Sequence, residues 1–410
     1  MKKIFNVLLL SFLIFSLNGF TQEIDSLVFK TDRLLEFGIK SEAYPGAQVL
    51  IFKNDTIRLN KTYGFQTYDS LVPIEKHHLY DLASVTKILA STLAFMKLYE
   101  LYNLNLDQKV ATYVPSLKRS NKKNSSLREV LSHSGGWEPY IAHQNLVFNK
   151  RGRFKTRTIS YKQNKKFPLQ ISDSLFIHKK YFKKIYRRIR KTKLNNLGEY
   201  RYSGLWFFLL PEITKQLSGS SFSEFLQTYF YTPLKTERLG FLPSKKYSKS
   251  EIVPTENDSI FRKQLVQGWV HDEAAAMMGG ISGNAGLFSN AASLKPLLQM
   301  LLQNGNYNGK QYLKPETIKK FTQRSYPNSN NRRGLGFDKP SIDPESNYPS
   351  LLASPSSYGH SGFTGTFIWV DPTNKCFLIF LSNRVYPSRN QRKLYSLDIR
   401  GKLLDYAIQF

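Results

Sequence analysis

The chain has 410 residues, 41% of them hydrophobic and 14% aromatic, and a formal charge of +29. That is enough apolar material for a large core, in two lobes or one elaborated domain. Its one cysteine, Cys376, excludes an intrachain disulfide, and the spacing of its seven histidines predicts no metal site and no cofactor.

The first residues, Met1-Lys2-Lys3, are followed by an apolar run over 4–17 and then Asn18-Gly19-Phe20-Thr21-Gln22. A short basic start, a short apolar stretch and a small-residue end describe a secretory signal over 1–21. The run falls short of the roughly 20 residues that a transmembrane span needs, which disfavours the alternative of an uncleaved anchor. No cysteine follows, so a lipid anchor there is excluded. The expected mature unit is 22–410, exported to the periplasm or secreted, with no stable transmembrane span.

Residues 23–40 read as a helix with apolar positions at Ile24, Leu27, Val28, Leu34, Leu35, Phe37 and Ile39. Residues 46–52 and 57–63 read as strands joined by Lys53-Asn54-Asp55-Thr56, a hairpin. A helix-patterned run over 82–101 follows, then a short helix at 127–131 closed by Ser134-Gly135-Gly136. Further helical runs fall at 205–216, 222–230, 292–304 and 392–408. Residues 325–357 are polar and turn-rich. A second hairpin, 366–371 and 375–382, turns at Pro372-Thr373-Asn374, and Cys376 lies in its apolar second strand as a buried, inert thiol. Strands near both ends with helices between them predict an α/β (α+β) fold. One antiparallel sheet is built from both termini, flanked by helices, with an inserted, mainly helical lobe. The lobes are expected at 22–80 with 282–410, and at 81–281.

Residues 150–193 hold seventeen Lys/Arg and one acid, Asp173. Such an insertion is either a solvated segment whose aromatics pack on the body or a patch for an anionic envelope polymer. An exported chain is not expected to meet nucleic acid. Because it lies just before Tyr202, the segment is expected over the entrance of any cleft there.

Ser84-Val85-Thr86-Lys87 sets a hydroxyl and an amine three residues apart, on one face if the run is helical. A serine hydroxyl becomes a good nucleophile when a nearby base takes its proton, and an amine held neutral by burial can be that base. A second copy of the spacing, Ser120-Asn121-Lys122-Lys123, has no apolar helix behind it. Tyr202, in Gly198-Glu199-Tyr200-Arg201-Tyr202-Ser203-Gly204, can project into a cleft as a general acid or base. Tyr358-Gly359-His360-Ser361-Gly362-Phe363-Thr364-Gly365-Thr366 leads into a strand, where small residues let a ligand approach backbone N–H groups.

Together, in this order, the three groups resemble the serine β-lactamase and D,D-peptidase superfamily, in particular the branch of class C β-lactamases, penicillin-binding carboxypeptidases and related esterases. The resemblance extends to Leu104 through Val110, Tyr113-Val114-Pro115, Leu127 through Gly136, Gly279 through Ser289 and Leu381-Ser382-Asn383-Arg384. It implies acyl transfer with Ser84 as nucleophile and Lys87 and Tyr202 sharing the proton traffic. The backbone N–H groups of Ser84 and Phe363 would form an oxyanion hole, and His360, Ser361 and Gly362 would lie at the substrate's carboxylate side. His133 and the Gly279 to Ser289 turn would be structural. Two departures stand out: Gly204 occupies the place where this branch usually has Asn, and His360 the place where class C β-lactamases have Lys. The resemblance thus implies a small-molecule or peptide substrate, first a peptidoglycan stem peptide ending in D-alanine. A carboxylic ester comes next and a poorly turned-over β-lactam third. A non-catalytic polymer-binding protein of the same fold is the alternative from another class.

Overall fold

In the computed structural model, which describes residues 23–410, two apolar runs from opposite ends of the chain become neighbouring strands. Strand β1 (Gly46–Lys53) pairs antiparallel with β2 (Thr56–Gly64), turning through Asn54 and Asp55 at φ 48° and 60°. These left-handed conformations are what a tight two-residue hairpin turn needs, and Asn and Asp tolerate them. On its other side β1 pairs with β5 (Cys376–Ser382), Ala47 opposite Ser382 and Lys53 opposite Cys376. With β3 (Tyr358–Ser361) and β4 (Phe367–Asp371) the sheet order is β3-β4-β5-β1-β2, antiparallel throughout. The expected signal over 1–21 lies outside the described residues.

Both faces of this sheet are covered, so β5 can be apolar along its whole length. Ala47, Val49, Ile51, Leu378 and Phe380 face a core with Leu27 and Leu35 of the helix over residues 23–40 and Leu403 and Leu404 of the helix Ile399–Gln409. Leu50, Phe52, Phe377, Ile379 and Leu381 face the larger core, which continues through the helical region between the sheet-forming segments. The Phe52 and Phe377 rings stack there at 4.7 Å. The Cys376 thiol is buried and its pKa is pushed up to about 12 by that burial, which keeps it protonated and unreactive at neutral pH.

The run over 82–101 is not one α-helix. It is a 3-10 turn (Ala83–Val85), a π-helical turn (Lys87–Thr92) and an α-helix (Leu93–Tyr102) ended by Asn103 in the left-handed conformation. A three-stranded ladder of Tyr80–Asp81, Leu287–Ser289 and Gly240–Phe241 sets the start of this run against the glycine-rich turn.

The basic insertion is folded. Ile159–Ser160, Leu169–Ser172 and Leu175–Ile177 make a small sheet, followed by the helix Tyr181–Lys191. Tyr181, Ile185 and Ile189, four residues apart, are buried, while Lys183, Lys184, Arg187 and Lys191 are exposed. Phe154 stacks on Phe148 and meets Phe261 edge-on, so aromatics of the segment do pack on the body. The stretch that holds the second Ser-x-x-Lys copy fastens this insertion through Ser120 and the intervening Lys122. Ser120 Oγ donates to the Arg190 carbonyl at 2.7 Å, and the buried Lys122 Nζ donates to the Thr192 carbonyl at 2.5 Å. Among the described residues no helix is long and apolar enough to cross a membrane.

Replacing Phe377 with alanine removes a fully buried ring from the central pair of strands. We expect a loss of about 3–5 kcal/mol, read from the urea-unfolding midpoint with the slope unchanged.

Candidate active site

Ser84 stands on a strained turn. Ala83, just before it, has φ 44°, a left-handed value that an alanine adopts only when its surroundings impose it. The Asp81 carboxylate does so: Oδ1 accepts the Ala83 N–H at 2.8 Å, and Oδ2 accepts the His271 N–H at 2.6 Å. Asp81 is buried, and burial raises its pKa while the two N–H bonds pull it back. The Leu82 N–H donates to the Leu287 carbonyl at 2.9 Å, fixing the turn to the ladder.

This turn aims the Ser84 hydroxyl at two groups. Lys87 Nζ lies 3.0 Å from Ser84 Oγ and also donates to the Asn284 carbonyl at 2.9 Å. The Tyr202 hydroxyl lies 3.3 Å from Ser84 Oγ. Lys87 is buried between the rings of Tyr202 and Phe207, 5.5 and 5.6 Å from their centres. The glycine-rich turn delivers the Asn284 carbonyl: Gly283 passes so close that a Cβ there would sit 2.2 Å from the Phe207 carbonyl oxygen and 2.5 Å from Ser91 Oγ. An alcohol, an amine and a phenol from segments far apart in the chain thus meet at hydrogen-bonding distance, the arrangement that nucleophilic acyl transfer requires.

His133 holds Tyr202 from behind. Its ring lies against the phenol at 4.6 Å, its Nδ1 accepts the Ser203 N–H at 3.1 Å, and Arg333 Nη2 points at its Nε2 from 3.3 Å. Burial and Arg333 hold its pKa well below the usual histidine range.

The turn between β3 and β4 is fastened to the same segment as Ser84. Thr364 Oγ1 donates to the Asp81 carbonyl at 2.7 Å and Thr366 Oγ1 to the Leu82 carbonyl at 3.0 Å. Phe363 sits at the tip, with its ring stacked on His271 at 5.6 Å and under the Arg384 guanidinium at 4.8 Å. Arg384 Nε donates to the Phe363 carbonyl at 3.0 Å. The backbone of Phe363 is thereby held relative to Ser84.

A cavity of about 460 Å³ opens on these groups. Ser84, Lys87, Tyr202, Gly204 and Phe363 line it; His360, Ser361 and Gly362 are not among its lining residues. His360 is 3% exposed, its ring 6.0 Å from Tyr202, and its Nδ1 lies 2.8 Å from the Ser361 carbonyl oxygen. The imidazole is thus buried beside the phenol of Tyr202 and is not part of the cavity lining. No residue of 150–193 lines the cavity either, so the expectation of a basic segment at the cleft is replaced by the loop Pro139, Tyr140, Ile141 and Gln144. The far wall carries His271, Asp272, Glu273 and Arg389, none of which the motifs pointed to. They arise from polar positions in loops and at a helix start, where a sequence gives no sign of burial. Asp81 did have a signal, its place three residues before Ser84.

Residues 31–400 match the family model described as Beta-lactamase. A protein of Escherichia coli (strain K12) named "Putative D-alanyl-D-alanine carboxypeptidase" is 30% identical over 368 residues, 83% of this chain and 79% of its own length. Two solved structures share the fold. A hydrolase with promiscuous acyltransferase activity, EstCE1, has a TM-score of 0.67 at 17% identity, covering 94% of this chain and 99% of its own. The octameric penicillin-binding protein homologue from Pyrococcus abyssi has 0.66 at 20% identity, covering 92% and 77%. The chain belongs to the Beta-lactamase family, and it is a serine hydrolase.

The histidines carry a consequence for acid stability. Burial, aided by Arg333 and Lys87, pushes the His360 pKa from 6.5 down to about 3, and burial with Arg188 pushes His143 to about 4. Between those values and 6.5 the unfolded chain binds protons that the folded chain refuses, so their contribution to stability is complete above about 6.5 and drains as pH falls. The urea midpoint should therefore drop between about pH 7 and pH 4.5, and part of that slope should vanish in His360→Gln.

Proposed function

We propose that the protein is an exported D,D-carboxypeptidase-like enzyme that releases D-alanine from peptidoglycan-derived peptides through an acyl-enzyme on Ser84. The observation that carries this reading is the joint approach of Lys87 Nζ at 3.0 Å and the Tyr202 hydroxyl at 3.3 Å to one serine oxygen, on a cavity large enough for a peptide end. Ser84 Oγ adds to the carbonyl carbon of the terminal peptide bond and gives up its proton to the Lys87–Tyr202 pair. The same pair returns a proton to the departing D-alanine amine. Water then cleaves the ester and restores the hydroxyl. The N–H groups of Ser84 and Phe363 receive the carbonyl oxygen as it becomes negative. His360, Ser361 and Gly362 then act as the strand end that sets the Phe363 turn. The name of the Escherichia coli relative supports the D-alanyl substrate. The apolar segment at 4–17 supports export, and the exposed cations of 150–193 suit an anionic wall polymer.

A second reading, carboxylester hydrolysis, is favoured by Gly204. A Cβ there would find only the Pro139 carbonyl, at 4.0 Å, so a polar side chain would fit but none is present to hold an acyl-side amide. Weak β-lactam hydrolysis by the same machinery is a third.

Intact-mass measurement after a fluorescent penicillin and, separately, a fluorophosphonate should show one covalent adduct with each, absent in Ser84→Ala. D-alanine release from a diacetyl-L-Lys-D-Ala-D-Ala peptide should fall about 10²- to 10⁴-fold in Tyr202→Phe. Labelling by the fluorophosphonate alone would select the esterase, and no adduct with either would leave a binding protein.

A further inference from the structure

The far wall of the cavity carries two carboxylates, Asp272 and Glu273, in a chain of formal charge +29. We propose that it selects substrates bearing a protonated aliphatic amine, which Asp272 binds with Glu273 beside it. This rests on the reading of Ser84 as the hydrolytic serine and names the substrate class of that site.

Two carboxylates, Glu256 and Glu273, meet there around one guanidinium, and Asp272 stands next to Glu273 in the chain. Arg389 Nε and Nη2 donate to Glu256 at 2.8 and 2.6 Å, its main-chain N–H donates to Glu256 at 2.9 Å, and its Nη1 donates to Glu273 at 2.8 Å. His271 Nε2 lies 2.7 Å from Glu256 on the other side. Arg389 therefore has its charge shared between two acids. Lys87, the other basic side chain lining the cavity, is committed to Ser84 and the Asn284 carbonyl. Glu273 is only 4% exposed and lines the cavity, yet its Oε2 has no protein partner among the described residues. Asp272 has no basic side chain bonded to it among the described residues. Its Oδ1 takes the Ala275 N–H at 2.7 Å as the cap of the helix Glu273–Met277. Asparagine caps a helix as well as aspartate does, so the cap does not account for the charge. In a chain of net charge +29, the wall facing the substrate space is thus anionic.

The remaining lining fits the stem of such a substrate. Pro139, Ile141, Leu205, Phe208 and Ala274 give the same cavity apolar surface. An aliphatic side chain could lie along them and bring its ammonium to the carboxylates, as lysine-like side chains do when they bury their methylenes and keep their charge paired. A diamino-acid residue of a short peptide has this chemistry.

The test compares matched substrates within each variant, so that any general loss of activity cancels. Acetyl-L-Lys-D-Ala-D-Ala with a free ε-amine is set against the peptide acetylated on both amines. We expect kcat/KM to favour the free amine by about ten-fold or more, and Asp272→Asn, which keeps the cap and removes the charge, to bring the ratio close to one. Asp272→Ser is the second neutral cap, and thermal unfolding checks that both variants fold. A ratio near one in the unaltered enzyme, or a ratio unchanged in both folded variants, overturns the proposal. If neither peptide is cleaved, the D-alanyl reading fails and this one is decided on p-nitrophenyl 6-aminohexanoate against its 6-acetamido analogue, with the same two outcomes.

Discussion

A single buried carboxylate, that of Asp81, ties together the parts on which the site depends. One oxygen holds the Ala83 N–H and with it the strained turn that presents Ser84; the other holds the His271 N–H and so the far wall. The Asp81 and Leu82 carbonyls receive the hydroxyls of Thr364 and Thr366, which brings in the Phe363 turn. Four polar contacts on two consecutive residues therefore fix three surfaces of one cavity. Taking a carboxylate out of water is costly, and the raised pKa of Asp81 records that cost. The folded chain tolerates it because the bonds made by that carboxylate also offset the unfavourable φ of Ala83.

The serine itself is held by contacts of a different kind. Lys87 is confined by two aromatic faces and a backbone carbonyl, and Tyr202 by the ring of His133. These partners are rigid, and none of them is a mobile charged side chain. A site whose donors are fixed before substrate arrives has little to reorganise during reaction, which is the basis of electrostatic preorganisation.

Much of the frame was legible from the residues. The apolar run in β5 and the Asn-Asp turn after β1 follow from local chemistry, and both hairpins lie close to where patterning puts them. The helix of 82–101 was misread in its first turns because Ala83 adopts its conformation through Asp81 and the ladder at Leu287, contacts that no local propensity encodes. Ser84 and Lys87 were visible at an informative spacing, whereas Tyr202 and Phe363 stood out only through the resemblance that the three motifs carry together. The far wall was not, since Asp272, Glu273 and Arg389 look like solvated loop positions until the fold buries them against one another. The helix Tyr181–Lys191 shows the opposite failure: its buried isoleucines four residues apart were hidden by the density of charge around them.

Because β1 lies between β2 and β5, the centre of the sheet joins residues that are far apart in the chain, Val49 opposite Phe380. The early hairpin can form alone, but two strands are marginal in water. Its neighbour arrives only after the whole helical region and the insertion have been made, and bringing such distant segments together is the slow part of folding a sheet. The Phe363 turn that completes the cavity sits in this same late-arriving segment. A partly synthesised chain therefore holds Ser84, Lys87 and Tyr202 without the surface that completes their cavity, and hydrolytic competence comes into being only after the segment carrying Phe363 has been made.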